Sequence, residues 1–225
     1  MPDTHTPRDP PLETRSSKLD TPSLTPPTPT LRRRLRAARR ALTPSEQRDH
    51  AEVVAKLIAR EPRLRLTRRI ALYIPADGEI DPRPLRARLP GGGRRWYLPV
   101  LRGHAAGCLW FVRWHERDRL QANSFGIPEP VRRGRHILSA HALDLVLTPL
   151  VGFDTQCNRI GMGGGFYDRT LAFLRRRLHW QRPLLVGLAH ECQRVDHIET
   201  QEWDVPLDAV VTEAGVYWRR VARKK

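Results

Sequence analysis

The stretch LDLVLTP (143–149), with the glycine-rich stretch NRIGMGGGFYDR (158–169) and the helical pattern FYDRTLAFLRRRL (166–178), decides the fold. A short, continuous apolar run bounded by turn residues is typical of a strand buried on both faces. Because a glycine loop and then a helix follow this strand, the segment has the strand–loop–helix form of an α/β protein.

Other apolar runs have the same character. They are RIALYI (69–74), RWYLPV (95–100), GCLWFVR (107–113), LLVGLA (184–189) and DAVVT (208–212). Because helical or loop stretches separate them, we predict an α/β fold with a mostly parallel sheet flanked by helices, a Rossmann-like three-layer architecture. In such sheets ligands bind beyond the carboxyl ends of the strands.

Helices are predicted before the first strand and after it. In LRRRLRAARRAL (31–42) the apolar positions Leu31, Leu35, Ala38 and Leu42 have the spacing of one helical face. TPSE (43–46) then has the form of a capping box with a proline at the first helical position, so a second helix starts there and runs to about residue 60. A short helix is expected over 81–89, capped by Asp81.

The amino-terminal segment differs from the rest of the chain. Residues 1–30 contain eight prolines and few large apolar side chains, so we predict a disordered proline-rich tail followed by a single domain over 31–225. No apolar run approaches the ~18 residues needed to span a bilayer, and no signal peptide is visible, which indicates a soluble, cytoplasmic protein. The three widely spaced cysteines indicate reduced thiols.

The net charge of +16 raises the alternative of an arginine-rich RNA-binding module. Against it, aromatic residues make up only 7% of the chain and no RNA-binding motif is present. We therefore expect no nucleic-acid partner and no membrane partner. A monomer is expected because no long heptad pattern or exposed apolar helix indicates an interface.

The glycine stretch can be interpreted in two ways. In the first interpretation, the backbone amides of the glycines before the helix bind phosphate. The Arg159 guanidinium would then bind phosphate oxygens, and Asp168 would bind a metal ion. Alternatively it is a tight turn in which Asp168 complements the helix dipole. The pattern is neither a P-loop nor a dinucleotide fingerprint.

Two further segments contain candidate ligand-binding residues. In YIPADGEID (73–81), Glu79 follows an Asp-Gly turn and could accept hydrogen bonds from a ring N–H, or it could be a solvated loop acid. In NSFGIPEP (123–130), Phe125 offers a ring face to a planar ligand, or it is a buried anchor.

Taken in order, these segments and WDVPLDAVVTE (203–213) resemble the 5-formyltetrahydrofolate cyclo-ligase family, also called 5,10-methenyltetrahydrofolate synthetase, over residues 31 to about 212. The resemblance implies ATP- and Mg²⁺-dependent cyclisation of 5-formyltetrahydrofolate, with or without a polyglutamate tail, to 5,10-methenyltetrahydrofolate. It also implies a phosphorylated formyl intermediate and release of ADP and phosphate. A sugar-phosphate isomerase or CoA-transferase-like enzyme of related fold is the alternative.

The resemblance assigns roles residue by residue. Arg159 and Tyr167 are implied to be catalytic, and Asp168 and Asp208 to bind magnesium. The implied ATP-binding residues are Arg32, Arg159, Ile160, Gly161, Met162, Gly163, Gly164, Gly165, Phe166 and Tyr167. The implied substrate-binding residues are Ile74, Glu79, Phe125, Met162, Gly163, Gly164, Gly165 and Phe166.

Two positions depart from the family pattern. Thr28 stands where family members commonly have a lysine four residues before the position of Arg32, and Gly164 stands where some relatives have a lysine. Lys18 or a neighbouring arginine substitutes for the first lysine, or nucleotide affinity is lower. At the second position the backbone amides and Arg159 would carry more of the phosphate charge.

Overall fold

The computed structural model describes residues 28–89, 91, 93–102, 107–124, 126–131, 136–176 and 182–220. The helices are α1 (Thr28–Arg40), α2 (Pro44–Arg60), α3 (Pro62–Arg65), α4 (Leu85–Arg88) and α5 (Phe166–Leu171). The strands are β1 (Arg69–Ala71), β2 (Arg95–Leu101), β3 (Leu109–Arg113), β4 (Leu120–Ala122), β5 (Pro128–Pro130), β6 (Ile137–Leu138), β7 (Leu145–Pro149), β8 (Gly152–Phe153), β9 (Arg159–Ile160), β10 (Leu184–Leu188), β11 (Ala209–Thr212) and β12 (Gly215–Trp218).

Eight strands form the main sheet, in the order β12-β11-β10-β7-β1-β2-β3-β6. The central strands β11, β10, β7, β1 and β2 run parallel, whereas β12 at one edge and β3 and β6 at the other pair antiparallel. The predicted α/β fold with a mostly parallel sheet is therefore confirmed. Strands β4 and β5, and strands β8 and β9, form two small hairpins.

Side chains of the central strands alternate between two apolar cores. Leu145 and Leu147 of β7 join the core that contains Val54 and Ile58 of α2, whereas Val146 joins the core on the opposite face, with Leu171 and Leu174. Because both faces of the strands are covered, their sequences are continuous apolar runs. A third, smaller core joins α1 to β9.

Helix α2 has the predicted amino-terminal cap. Thr43 accepts a hydrogen bond from the Glu46 amide, and the Glu46 carboxylate accepts one from the Thr43 amide, which together form a capping box. The helix ends at Arg60, one residue before the Glu61-Pro62 pair. The capping box thus predicts the start of α2, and the proline after Glu61 accounts for its end.

The first helix starts earlier than the sequence indicated. Residues 28–30, predicted to belong to the tail, form the beginning of α1, since Pro29 lies in the first turn, where its missing N–H costs no hydrogen bond. The rest of the predicted tail, residues 1–27, lies outside the described residues. The buried face of α1 is also different: Arg39, rather than Ala38, follows Leu31 and Leu35 into the interior.

The short helix predicted over 81–89 begins only at Leu85. Asp81 accepts a hydrogen bond from the Arg83 amide at 2.9 Å, so it closes a turn instead of capping the helix. The prolines at 82 and 84 donate no backbone hydrogen bonds, which delays the regular helical ladder. Among the residues that the structure describes, no helix is long and apolar enough to cross a membrane.

Candidate active site

A pocket with a volume of about 1570 Å³ lies at the carboxyl ends of the parallel strands. From β1 the chain continues to β2 on one side, whereas β7 lies on the other side of β1. This reversal of strand order is the switch point at which α/β sheets bind ligands. The segment after β1, with Tyr73 and Glu79, and the glycine loop after β9 both line the pocket.

The hairpin of β8 and β9 presents the glycine loop. The fully buried Asp154 accepts hydrogen bonds from the Gln156 and Asn158 amides at 2.9 and 3.0 Å, and its second oxygen accepts from the Asn158 side chain and the Ile198 amide. A buried carboxylate with this many donors fixes the turn. These hydrogen bonds therefore fix the position of the hairpin from which the glycine loop extends.

Two glycines of the loop have backbone conformations that other residues rarely adopt. Gly163 has a φ of +97° and Gly165, directly before α5, has a φ of +61°. Gly164 has no positive φ, but a Cβ there would lie 3.0 Å from the Phe166 ring. At Gly161 a Cβ would meet nothing within 4 Å, so the space beside this residue is open to a ligand.

Arg159 and Asp168 form an ion pair at the base of the pocket. Arg159 donates from Nη2 to Asp168 Oδ1 at 2.5 Å, and the Val205 amide donates to the same oxygen at 3.3 Å. The Arg159 side chain is only 6% exposed, whereas Asp168 is 28% exposed. The second carboxylate oxygen of Asp168 has no hydrogen-bond partner among the described residues, so it is available to a ligand.

The glycine loop is also joined to α1. Arg32 donates from Nε to the Gly161 carbonyl at 3.0 Å, and both residues line the pocket. Pairing with a carbonyl does not neutralise the guanidinium. The first helix therefore contributes a positive charge next to the loop.

The turn after β1 is held by arginines of α1. Asp77 and Gly78 have φ values of +55° and +76°, and the Glu79 amide donates to the Ala76 carbonyl at 3.0 Å. Asp77 accepts hydrogen bonds from Arg36, Arg39 and Arg40. Burial alone would raise the pKa of Asp77, but these hydrogen bonds outweigh it and lower the pKa to about 2.

Glu79 lies on this turn, next to Tyr73 and Tyr167. Its carboxylate accepts a hydrogen bond from the Ala76 amide at 3.1 Å and lies 3.7 Å from Arg39 Nη1. Burial raises the pKa of Glu79, although the Ala76 hydrogen bond and Arg39 oppose the shift. Burial and the charge of Glu79 also raise the pKa of Tyr167, so its hydroxyl stays a proton donor at neutral pH.

The structure brings almost every predicted site residue into one pocket. Those that line it are Arg32, Ile74, Glu79, Arg159, Ile160, Gly161, Met162, Gly163, Gly164, Gly165, Phe166, Tyr167 and Asp168. Phe125 lies outside the described residues. Asp208, expected to bind magnesium, does not line this pocket: it precedes β11, and its Oδ2 accepts a hydrogen bond from the Leu185 amide at 2.7 Å. Asp208 therefore lies at the amino end of β11, opposite to the end at Thr212, and its carboxylate bonds to the neighbouring strand β10.

Some pocket residues were not predicted from the sequence. Glu129 of β5 lines the pocket and accepts hydrogen bonds from the Leu101 amide and the Asn123 side chain at 2.9 and 2.8 Å. Trp203 is 62% exposed at the same pocket, and Asp204 follows it. The acid between two prolines in PEP was a visible signal for Glu129, but nothing in the sequence placed it beside β2.

The fold and the pocket define an α/β protein with a candidate ligand site at the switch point of its sheet. The sequence profile of the 5-formyltetrahydrofolate cyclo-ligase family matches residues 25–213. The 5-formyltetrahydrofolate cyclo-ligase of Escherichia coli K12 is 41% identical over 185 residues, which cover 81% of this chain and 98% of that protein. The enzyme of the same name from Haemophilus influenzae is 38% identical over 179 residues, 79% of this chain and 92% of that protein.

A solved structure shows the same relationship. The NMR structure of Aquifex aeolicus 5,10-methenyltetrahydrofolate synthetase superposes with a TM-score of 0.72 at 30% identity, covering 88% of this chain and 95% of the other. The chain belongs to the 5-formyltetrahydrofolate cyclo-ligase family. The resemblance seen in the sequence is thus confirmed, and the protein is an enzyme of the ligase class.

Proposed function

We propose that this chain uses ATP and magnesium to cyclise 5-formyltetrahydrofolate to 5,10-methenyltetrahydrofolate, with release of ADP and phosphate. Family membership gives the reaction. The observation that supports it most directly is the convergence of the glycine loop, Arg159, Asp168 and Glu79 on one pocket. Membership of the cyclo-ligase family, rather than the loop itself, favours this reaction over that of a sugar-phosphate isomerase.

The glycine loop is the proposed phosphate-binding element. The open space beside Gly161 and the positive φ of Gly163 expose backbone that a side chain would cover. Arg32, which donates to the Gly161 carbonyl, and Arg159, which precedes the loop, supply positive charge for a triphosphate. Phosphoryl transfer mainly requires alignment and charge neutralisation, which these groups provide.

The pocket residues also fit a magnesium ion. The second carboxylate oxygen of Asp168 is a hard donor on the pocket wall, and Mg²⁺ in phosphate sites commonly uses one or two carboxylates together with phosphate oxygens. When bound, magnesium would neutralise charge on the phosphates. Because the Asp208 carboxylate is hydrogen-bonded to the β10 backbone, we assign the ligand role to Asp168 alone.

The chemistry has two steps. The formyl oxygen of the folate first attacks the γ-phosphorus of ATP, so that an O–P bond forms and the bond to ADP breaks. The folate N10 then attacks the formyl carbon, the C–O bond breaks with phosphate as the leaving group, and the N10 proton goes to solvent. Arg159 and the loop amides would stabilise the phosphoryl group, and the protonated Tyr167 hydroxyl, which lines the same pocket, can donate a hydrogen bond to the ligand.

The folate is proposed to lie between the Glu79 turn and the glycine loop. Glu79 can accept hydrogen bonds from ring N–H groups of the pterin, with Ile74 as an apolar neighbour. Met162, which is 57% exposed, and Phe166 are proposed to contact the pterin from the side of the glycine loop. Phe125 is proposed to stack on the planar ligand, as the resemblance implied.

We also expect the chain to act as a monomer in the cytoplasm, without a nucleic-acid partner.

An isotope experiment tests this chemistry. We expect ¹⁸O placed in the formyl group of 5-formyltetrahydrofolate to appear in the released inorganic phosphate, because the formyl oxygen attacks phosphorus before the C–O bond breaks. Phosphate without label, released together with the methenyl product, would rule out the phosphorylated formyl intermediate. Absence of methenyl product under every nucleotide and metal condition would rule out the function itself.

A further inference from the structure

Behind the turn that carries Glu79, three side chains from distant parts of the chain converge. His50 comes from α2, His190 lies just after β10, and Glu213 lies directly after β11. Their candidate ligand atoms all lie within 4.8 Å of one another. Because β10 and β11 are adjacent and parallel, their carboxyl ends bring His190 and Glu213 together, and α2 packs over this edge.

The hydrogen bonds define which atoms face the centre of this cluster. His190 Nε2 lies 3.1 Å from the Gly78 carbonyl, and a carbonyl can only accept, so Nε2 carries the proton. His190 Nδ1 therefore has a lone pair, and it points to His50 Nδ1 at 2.9 Å. A histidine that donates its other N–H to a backbone carbonyl has the orientation and tautomer of a metal ligand.

Glu213 contributes the third donor. His50 Nδ1 lies 3.6 Å from Glu213 Oε1, and the Glu213 carboxylate accepts a hydrogen bond from the Glu191 amide. His190 is fully buried, whereas the side chains of His50 and Glu213 are 23% and 20% exposed. The cluster is thus held rigidly from inside and is open to solvent on one side.

We propose that His50, His190 and Glu213 form a binding site for a divalent transition-metal ion of the zinc type, with water as the remaining ligand. Two imidazoles and one carboxylate are a set that Zn²⁺ uses, whereas Mg²⁺ prefers oxygen ligands only. Tetrahedral bonds of ~2.0–2.1 Å separate two ligand atoms by about 3.3 Å. The distances of 2.9 and 3.6 Å lie on either side of that value and all three ligand atoms lie within 4.8 Å of one another, so metal binding requires side-chain movement and a shift of the His50 proton from Nδ1 to Nε2.

This ion would link α2 to the carboxyl ends of β10 and β11. Through His190 and the Gly78 carbonyl it would also support the turn on which Glu79 lies. It is separate from the pocket, because none of the three ligands lines the pocket. A metal ion that binds only the folded chain stabilises the fold by mass action.

Titration of the untagged chain with Co²⁺ and Zn²⁺ after chelator treatment tests the proposal. We expect one Co²⁺ per chain with the visible absorption bands of a low-coordinate ion, displacement by Zn²⁺, and a higher melting temperature with either ion. His50→Ala and Glu213→Gln should each weaken binding by at least about 10-fold and abolish the thermal shift. His115→Ala is the matched control, because it removes an exposed histidine that pairs with Asp118 outside the cluster, and it should bind as wild type does.

Three results would overturn the proposal. The first is wild-type protein without stoichiometric Co²⁺ or Zn²⁺ binding. The second is unchanged affinity in folded His50→Ala and Glu213→Gln, with circular dichroism as the check on folding. The third is binding that survives in His50→Ala and disappears in Asp168→Asn, which would place the ion in the pocket.

Discussion

Arg39 donates a hydrogen bond of 2.8 Å from its fully buried guanidinium to the carboxylate of Asp77. The same guanidinium also donates to the Asp77 and Leu150 carbonyls, at 2.8 and 3.1 Å. One arginine of α1 therefore joins the turn after β1 to the end of β7. A buried charge with this many partners is destabilising once its counter-charge is removed.

We expect Asp77→Asn to lower the free energy of unfolding by about 3–5 kcal/mol, because Arg39 would lose its nearest carboxylate. Asparagine tolerates the positive φ at this position, so the loss reports charge and not backbone strain. Urea denaturation measures the change. Asp81→Asn is the control: Asp81 pairs with the half-exposed Arg83, and its loss should cost at most about 1 kcal/mol. Equal effects of the two variants would contradict the structural role of the Arg39 pair.

The pH dependence of this effect has a defined sign. The pKa of Asp77 is lowered from 3.8 to about 2, so its charge stabilises the fold above the ordinary value and the contribution fades as the pH falls towards about 2. The stability gap between wild type and Asp77→Asn should therefore narrow across this acid range. A gap that widens on acidification would show that the carboxylate is not the stabilising form.

Glu79→Gln should lower turnover and raise the melting temperature relative to wild type. Since burial raises the pKa of Glu79, the protonated form is favoured in the folded state, and wild type loses that advantage as the pH rises through the raised pKa. The glutamine variant has no such loss. Its melting temperature relative to wild type should rise as the pH increases from the ordinary value of 4.5 through the raised pKa, and its turnover should be lower than that of wild type.

The exposed Glu52 of α2 provides a control for this pH series, because its carboxylate pairs with the exposed side chain of Arg88 at the surface. Glu52→Gln makes the same chemical change at an exposed position, so a pH-dependent difference larger than the one it shows is specific to the buried position of Glu79. If wild type instead gained stability relative to Glu79→Gln as the pH rises, the carboxylate would be stabilised by its surroundings, and the assigned direction of the shift would be wrong.

The fold could be predicted from the sequence because each central strand is a buried apolar run and α2 has its capping signals within four residues. Those signals are local. The burial of Arg39 could not be predicted, since its reason lies about forty residues away, in the carboxylate of Asp77. The amphipathic spacing indicated Ala38 instead.

Part of the candidate site could be predicted from the sequence, and part could not. The residues of the glycine loop are contiguous, so their motif was visible, and they meet in the pocket. Asp208 could not be excluded from the pocket without knowing that its carboxylate bonds to the neighbouring strand. His50, His190 and Glu213 have no informative spacing, and only the strand order brings them together.

Two glycine variants separate ligand contact from backbone strain. Gly161→Ala should melt like wild type, because its Cβ meets no protein atom within 4 Å, yet weaken ATP binding by at least about 10-fold if phosphate occupies that space. Gly163→Ala should lose both stability and binding, since its φ is +97°. Calorimetric titration with ATP measures the affinity. Wild-type affinity in Gly161→Ala would mean that the loop does not approach the nucleotide.

Asp168→Asn tests the proposed metal ligand. The amide oxygen can still accept from Arg159 and the Val205 amide, so nucleotide binding without magnesium should change little. Turnover should fall strongly and recover only in part with added magnesium, because a carboxylate ligand is missing. Asp204→Asn is the neighbouring control: the Asp204 Oδ2 accepts from the Gln201 amide, and its replacement should reduce turnover less. The reverse order would move the metal site to Asp204.

The most direct test of the account is the stoichiometry of ADP and methenyl product, measured on wild-type protein with ATP and magnesium, with and without 5-formyltetrahydrofolate. If the pocket joins phosphoryl transfer to folate cyclisation, ADP should form only when the folate is present, with one ADP for each methenyl group seen by near-ultraviolet absorbance. ADP formation at the same rate without the folate, or methenyl product without ADP, would contradict it.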